Sequence, residues 1–251
     1  MHATACTRCS RRAGGYTLFE VLVSFFVITL LIGSILVPLA TQVGERQISD
    51  TEKALAEIKE ALMIFAVANG YLPCPDKNAG VAGAGTANDG IEDVDAAGAC
   101  VATSQGNLPW VTLGVGAADV WGNRFRYQVS PAFAQRAPGA VFNLFSAATI
   151  SVCRTSGCPA GSQLTGTSPE GAAAIILSLG RNGFGAISAA TGNANPAPAS
   201  ADENENVSGP TTFVSRTRTP AGSTAGEFDD VVVWISKYAL FSRMVAAGKL
   251  P

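Results

Sequence analysis

Between Val21 and Ala40 the chain runs for 20 residues without a charged side chain. Wound as a helix, such a run is about 30 Å long, close to the hydrocarbon thickness of a bilayer. Arg8, Arg11 and Arg12 precede it and no acid lies among the first 15 residues. That asymmetry predicts a single span with the amino terminus in the cytoplasm and the remainder outside. An ordinary secretory signal has its small-residue cleavage site after the apolar stretch. Here the small pair, Gly14–Gly15, comes before it. Cleavage at that point would remove a basic leader and leave the apolar helix as the new amino terminus.

Glu20 is an ionisable group beside this apolar run, costly there unless partnered. Cleavage after Gly15 gives Tyr16 a free α-amino group about one helical turn away, a partner for the carboxylate on this or a neighbouring subunit. The sequence Gly15-Tyr16-Thr17-Leu18-Phe19-Glu20 resembles the prepilin cleavage motif of the type IV pilin-like family. The resemblance implies that prepilin peptidase requires Gly15, that Tyr16 becomes N-methylated, and that Glu20 sets the register between subunits. The family's usual first mature residue is Phe, for which Tyr16 is an aromatic substitute. It further implies partners: other pilin or pseudopilin subunits and an inner-membrane assembly platform. The expected location is the inner membrane, single-pass, with a periplasmic domain that enters a filament on assembly.

Beyond Pro38 the pattern turns amphipathic. Ile48, Leu55, Ile58, Leu62 and Phe65 fall on one helical face, with charged residues on much of the rest. Asn69–Gly70 predicts a carboxyl cap, and Pro73 and Pro75 end the helix. One helix over 17–69 follows, with an apolar stripe that needs a sheet to cover. Residues 76–107 read as a long loop. Strands are predicted at Asn123–Ser130, Ala140–Val152, Ala172–Leu179, Thr211–Arg216 and Asp229–Ile235. Residues 187–210 and 217–227 read as loops, and the tail from Lys237 to Gly248 as a short helix. The expected fold class is α+β, a long amino-terminal helix packed on an antiparallel sheet. It divides into a leader (1–15), a transmembrane and filament-packing segment (16–41) and an extracytoplasmic domain (42–251).

Cys74, Cys100, Cys153 and Cys158 follow the apolar segment, and an even count there suits disulfides in an oxidising compartment. Three pairings are open; local spacing favours Cys74–Cys100 and Cys153–Cys158. A four-cysteine zinc site lacks the CxxC spacing it would need in this half.

Three further segments resemble the globular domain of type II secretion pseudopilins, in the same order. They are Asp119 to Tyr127 (DVWGNRFRY), Leu177 to Gly183 (LSLGRNG) and Asp229 to Trp234 (DDVVVW). Read physically, Trp121-Gly122-Asn123 turns into a strand, Gly180 to Gly183 is a hairpin turn, and Val231 to Ile235 is a buried strand. The chain is long for a major pseudopilin, which favours a minor subunit. Major pseudopilins bind calcium in a loop before the final strand. Asp202, Glu203, Asn204 and Glu205 precede that strand and Asp229 and Asp230 open it; of these Asp202, Asp229 and Asp230 are the expected hard oxygen ligands, set against a reading as solvated loop acids because many residues are inserted. A second acidic group, Asp89, Glu92, Asp93 and Asp95, resembles an incomplete calcium loop.

The one histidine is His2, inside the leader, so the processed chain has no histidine base or metal ligand. No GxSxG or Walker A pattern occurs, and an enzyme is not expected. Without the leader the chain carries 14 basic and 19 acidic residues. Arg124, Arg126, Arg136, Arg154 and Arg181 therefore read as solvated surface rather than a nucleic-acid patch. A rival function, a membrane-tethered adhesin or DNA-binding tip module, would use the loops at 187–227.

Overall fold

The structure is a computed structural model. It describes residues 15–77, 86, 88–95, 98–101, 105–136 and 142–250, with the backbone alone at 34–41. The expected leader, apart from Gly15, lies outside the described residues, as do His2, Cys6 and Cys9. The chain divides into two units, Met1–Gln47 and Ile48–Pro251.

Helix α1 covers Leu18–Asn69. Its start is set by Thr17, whose Oγ1 accepts the Glu20 N–H at 3.3 Å, so Thr17 caps a turn that has Glu20 at its third position. Its end follows the sequence expectation. Gly70 takes a left-handed φ of 84°, and the Asn69 side-chain amide donates to the Phe65 carbonyl at 2.9 Å.

The first unit corrects the membrane assignment. Among the described residues, no helix is long and apolar enough to cross a membrane. The expected transmembrane segment at 16–41, and with it single-pass anchoring in the inner membrane, is not supported.

The second unit is α+β, as expected. A four-stranded antiparallel sheet has the order β1 (Gly106–Asn107), β2 (Arg126–Val129), β4 (Ala172–Ser178), β6 (Val231–Ser236). Every residue of β4 is buried. Its sequence AAAIILS is apolar almost throughout because both faces of this strand are covered. Ala174 and Ile176 face a core built from Leu55, Ile58 and Leu62 of α1, with Phe125, Tyr127 and Val129. Leu240 and Met244 of helix α4 (Lys237–Ala246) join that core. Ile175 and Leu177 point the other way, into a second core with Ile150, Val152 and Phe213. Leu55, Ile58 and Leu62 of the stripe read from the sequence form the buried face of α1, with Met63 and Ala66 added, while Ile48 and Phe65 are half-buried, Phe65 against Tyr71.

Several expectations differ in detail. The strand predicted at Ala140–Val152 is reduced to β3 (Ser151–Cys153), and residues 140–141 lie outside the described ones. It pairs in parallel with β5 (Thr212–Val214), forming a two-stranded sheet under the second core. Gly180 to Gly183 is a turn but closes no hairpin, since β4 pairs with β2 and β6 and the next strand pairs with β3. Val231 to Trp234 are half-buried because β6 is an edge strand, so only Ile235 meets the buried-strand expectation. Residues 187–210 include a helix, α3 (Ala201–Ser208), and a short helix α2 (Trp110–Leu113) precedes β2. Both disulfides favoured by spacing are formed, Cys74–Cys100 and Cys153–Cys158.

Candidate cation centre

Helix α3 is polar, and its buried face is polar too: Asp202, Glu203 and Asn206. Asp202 and Glu203 occupy its first turn, where the helix dipole favours negative charge. The two neighbours point to different partners. Asp202 forms an ion pair with Arg216, Nε to Oδ2 at 2.6 Å, and accepts the Ser156 N–H at 2.8 Å. Burial opposes its ionisation, but the Ser156 and Arg216 hydrogen bonds outweigh burial and hold the carboxyl below its usual range.

Glu203 instead turns toward the start of β6. Glu203, Asp229 and Asp230 each offer an oxygen, and these atoms lie within 4.8 Å of one another. The sequence-predicted trio is thus divided: Asp229 and Asp230 come together, Asp202 is engaged elsewhere, and Glu203 takes the third place. Sequence reading placed Glu203 among the acids before the strand but chose Asp202 as the ligand, because only the helical turn decides which of two adjacent acids faces β6.

The surroundings hold this trio in place. The Asn182 backbone N–H donates to Asp229 Oδ2 at 2.9 Å, and its side chain donates to Glu203 Oε1 at 3.0 Å. Asn206 Nδ2 donates to Asp230 Oδ2 at 2.7 Å, while Asn206 Oδ1 accepts the Val214 N–H at 2.7 Å. Gly180, with φ of 66°, sits so close that a Cβ there would lie 1.9 Å from Asp229 Oδ1. That oxygen is buried and has no hydrogen-bond donor among the described residues.

The electrostatics follow from three acids sharing a partly dry site. Burial, then charge repulsion within the group, pushes Asp230 well above the usual carboxylate range. Burial also raises Glu203 and Asp229, helped by repulsion from Asp229 and Glu227 on Glu203 and from Glu227 on Asp229, each opposed by hydrogen bonds. Calcium fits this donor set. Two oxygens on opposite sides of a calcium ion at 2.3–2.6 Å each are about 5 Å apart. The orphaned Asp229 Oδ1 supplies a lone pair with nothing else to meet.

The segments singled out in the sequence converge at this end of the sheet. Ser178 donates to Asp119 Oδ2 at 2.6 Å, and Asn123 Nδ2 donates to the Gly180 carbonyl at 3.4 Å. With Asn182 on Asp229, all three segments join one polar network. The other acidic group does not assemble. Glu92 pairs with Arg136, Asp93 accepts the Lys77 N–H at 2.6 Å, and among the described residues no second trio has metal-ligand spacing.

The arginines read as surface divide as well. Arg124 stacks over Trp110 at 3.9 Å and Arg136 over Tyr71 at 4.6 Å, so both are engaged within the domain. In the first unit, Gly15 has open space around its Cα, Tyr16 is exposed, and Glu20 makes no ion pair among the described residues. Comparison with protein-family models, with curated proteins and with solved structures finds no match.

Proposed function

We propose that this chain is a structural subunit of a pilin-like filament, a minor pilin or pseudopilin processed between Gly15 and Tyr16. The observation that supports this is the exposure of apolar side chains all round the first part of α1. Leu18, Phe19, Leu22, Phe25 and Phe26 are each more than 60% exposed along one side of the helix, and Val21, Val23, Val27, Ile28 and Leu31 are each more than 40% exposed on the other sides. A helix that is apolar all round is stable when neighbours enclose it. Packing against the same segment of other subunits encloses it, and the one charge, Glu20, then meets the α-amino group of Tyr16 in an adjacent subunit. The filament in question is a type II secretion pseudopilus or a type IV pilus. In this reading calcium is held by Glu203, Asp229 and Asp230 and ties α3 to the start of β6.

Co-expression with a prepilin peptidase and partner pilins tests the proposal. Gly15→Ala leaves unprocessed precursor on a gel. Glu20→Ala is processed normally but is lost from the sheared filament fraction. Normal processing of the first variant together with normal assembly of the second would overturn the reading.

A further inference from the structure

On another part of the second unit, a cavity of about 460 Å³ opens beside the edge strand β1. Its walls are apolar on one side, through Ile187, Val207 and Pro210, and polar on the other. The size lies within the range of small-ligand pockets, which pair apolar walls with a few fixed polar groups.

The polar side is built on one cross-strand pair. Asn107 of β1 lies directly opposite Arg126 of β2, which places their side chains next to each other on one face. Gln105 holds the guanidinium, accepting from Arg126 Nη2 at 3.0 Å while donating to the Asn206 carbonyl at 2.6 Å. Among the described residues, no carboxylate pairs with Arg126, and its Nε has no acceptor. The Asn107 side-chain oxygen, Oδ1, has no donor among the described residues either. Burial lowers the guanidinium to about 10, the mark of a cation removed from water without an acid to compensate it. Asp76 also lines the cavity, but both its oxygens are taken by the backbone N–H groups of Asn88 and Gly90 at 2.9 Å.

A guanidinium held only by a neutral amide, with no acid partner among the described residues, beside an amide oxygen without a donor calls for a ligand with an acceptor anion and a donor N–H side by side. From this geometry we infer that the cavity binds a carboxylate whose α-carbon carries an amide N–H. A peptide carboxyl terminus and an N-acylated amino acid both present that group. Guanidinium binds carboxylate in a two-pronged geometry that amides and alcohols cannot reproduce. The apolar wall accommodates the adjoining side chain.

Calorimetric titration of the purified chain with trialanine, trialanine amide, N-acetylalanine and inorganic phosphate tests the inference. Trialanine is expected to bind, and its amide at least about tenfold more weakly, the loss of one charged hydrogen bond. Arg126→Gln is expected to abolish that difference. Ser208→Trp blocks the cavity from an exposed position outside both cores and is expected to remove binding with the fold intact. N-acetylalanine binding as well as trialanine assigns a small molecule; binding of the peptide alone assigns a chain end. Equal binding of acid and amide, preference for phosphate, or binding that survives both variants would overturn the inference.

Discussion

The part of α1 from Leu18 to Gly33 and the part from Ile48 to Asn69 treat apolar side chains in opposite ways. In the first, apolar residues occupy every face, all described side chains are exposed, and the single charge is Glu20. In the second, Leu55, Ile58 and Leu62 are buried in the core while Glu52, Lys53, Glu57 and Glu60 stay exposed. The second is stabilised within its own chain; the first gains its stabilisation from whatever encloses it. Leu62→Ala should therefore cost about 2–5 kcal/mol of unfolding free energy, the range for emptying a packed leucine site. Leu22→Ala should change it by less than about 0.5 kcal/mol while reducing filament assembly. Denaturant unfolding of the purified chain measures both. A similar cost at the two sites would break the distinction.

That distinction was legible in the sequence, because helical period separates a one-sided stripe from an all-round apolar run. The limits of α1, the central strands and the carboxyl-terminal helix were legible for the same reason. Helix α3 was not: its buried face is Asp202, Glu203 and Asn206, and polar residues carry no hydrophobic period. The parallel pairing of β3 with β5 was equally hidden, since strand partners 61 residues apart (Ser151 and Thr212) leave no local trace. Of the candidate cation centre, the sequence showed the acids at 229 and 230, and Glu203 only as one of a polar run beside Asp202. Asn182 stood in a turn motif, and only folding revealed that the turn holds Asp229.

A second prediction carries the comparison to the second unit's own fastenings. Cys74–Cys100 closes a loop of 26 residues next to the end of α1, and Cys153–Cys158 closes one of 5. Loop-closure entropy assigns about 3 kcal/mol to the first and about 2 kcal/mol to the second. Replacing each pair with serine should lower the unfolding midpoint in that order. The reverse order would mean that native contacts around the shorter loop, rather than chain entropy, dominate.

The cation centre gives a third, with a sign that acidity fixes. Asp76 is raised to about 6, chiefly by burial, and Glu203, Asp229 and Asp230 are also raised. A raised acid contributes stability that is full below its unfolded value near 4 and is lost as pH rises through its folded value. Without calcium, stability should fall between pH 4 and pH 6 and above. Calcium favours the ionised trio, so it should raise the unfolding free energy at pH 7 by up to about 2–3 kcal/mol at a hundredfold excess over Kd, and do little at pH 4. Asp230→Asn should remove the calcium effect, whereas Asp76→Asn should flatten the pH slope and keep it. A melt unchanged by chelator at pH 7 would count against calcium at this site.

The smallest effect is expected on the exposed side of the second part of α1. Glu60 there accepts from Arg243 of α4 at 3.2 Å, with both side chains about half exposed. Water already solvates both charges, and ordering two long side chains offsets most of the attraction. A double-mutant cycle on Glu60→Ala and Arg243→Ala should give a coupling below about 1 kcal/mol, reduced further at high salt. Less than 1 kcal/mol here against several at Leu62 would place the attachment of this helix in its apolar stripe. A coupling of about 2 kcal/mol or more would instead make the charged edge a fastening in its own right.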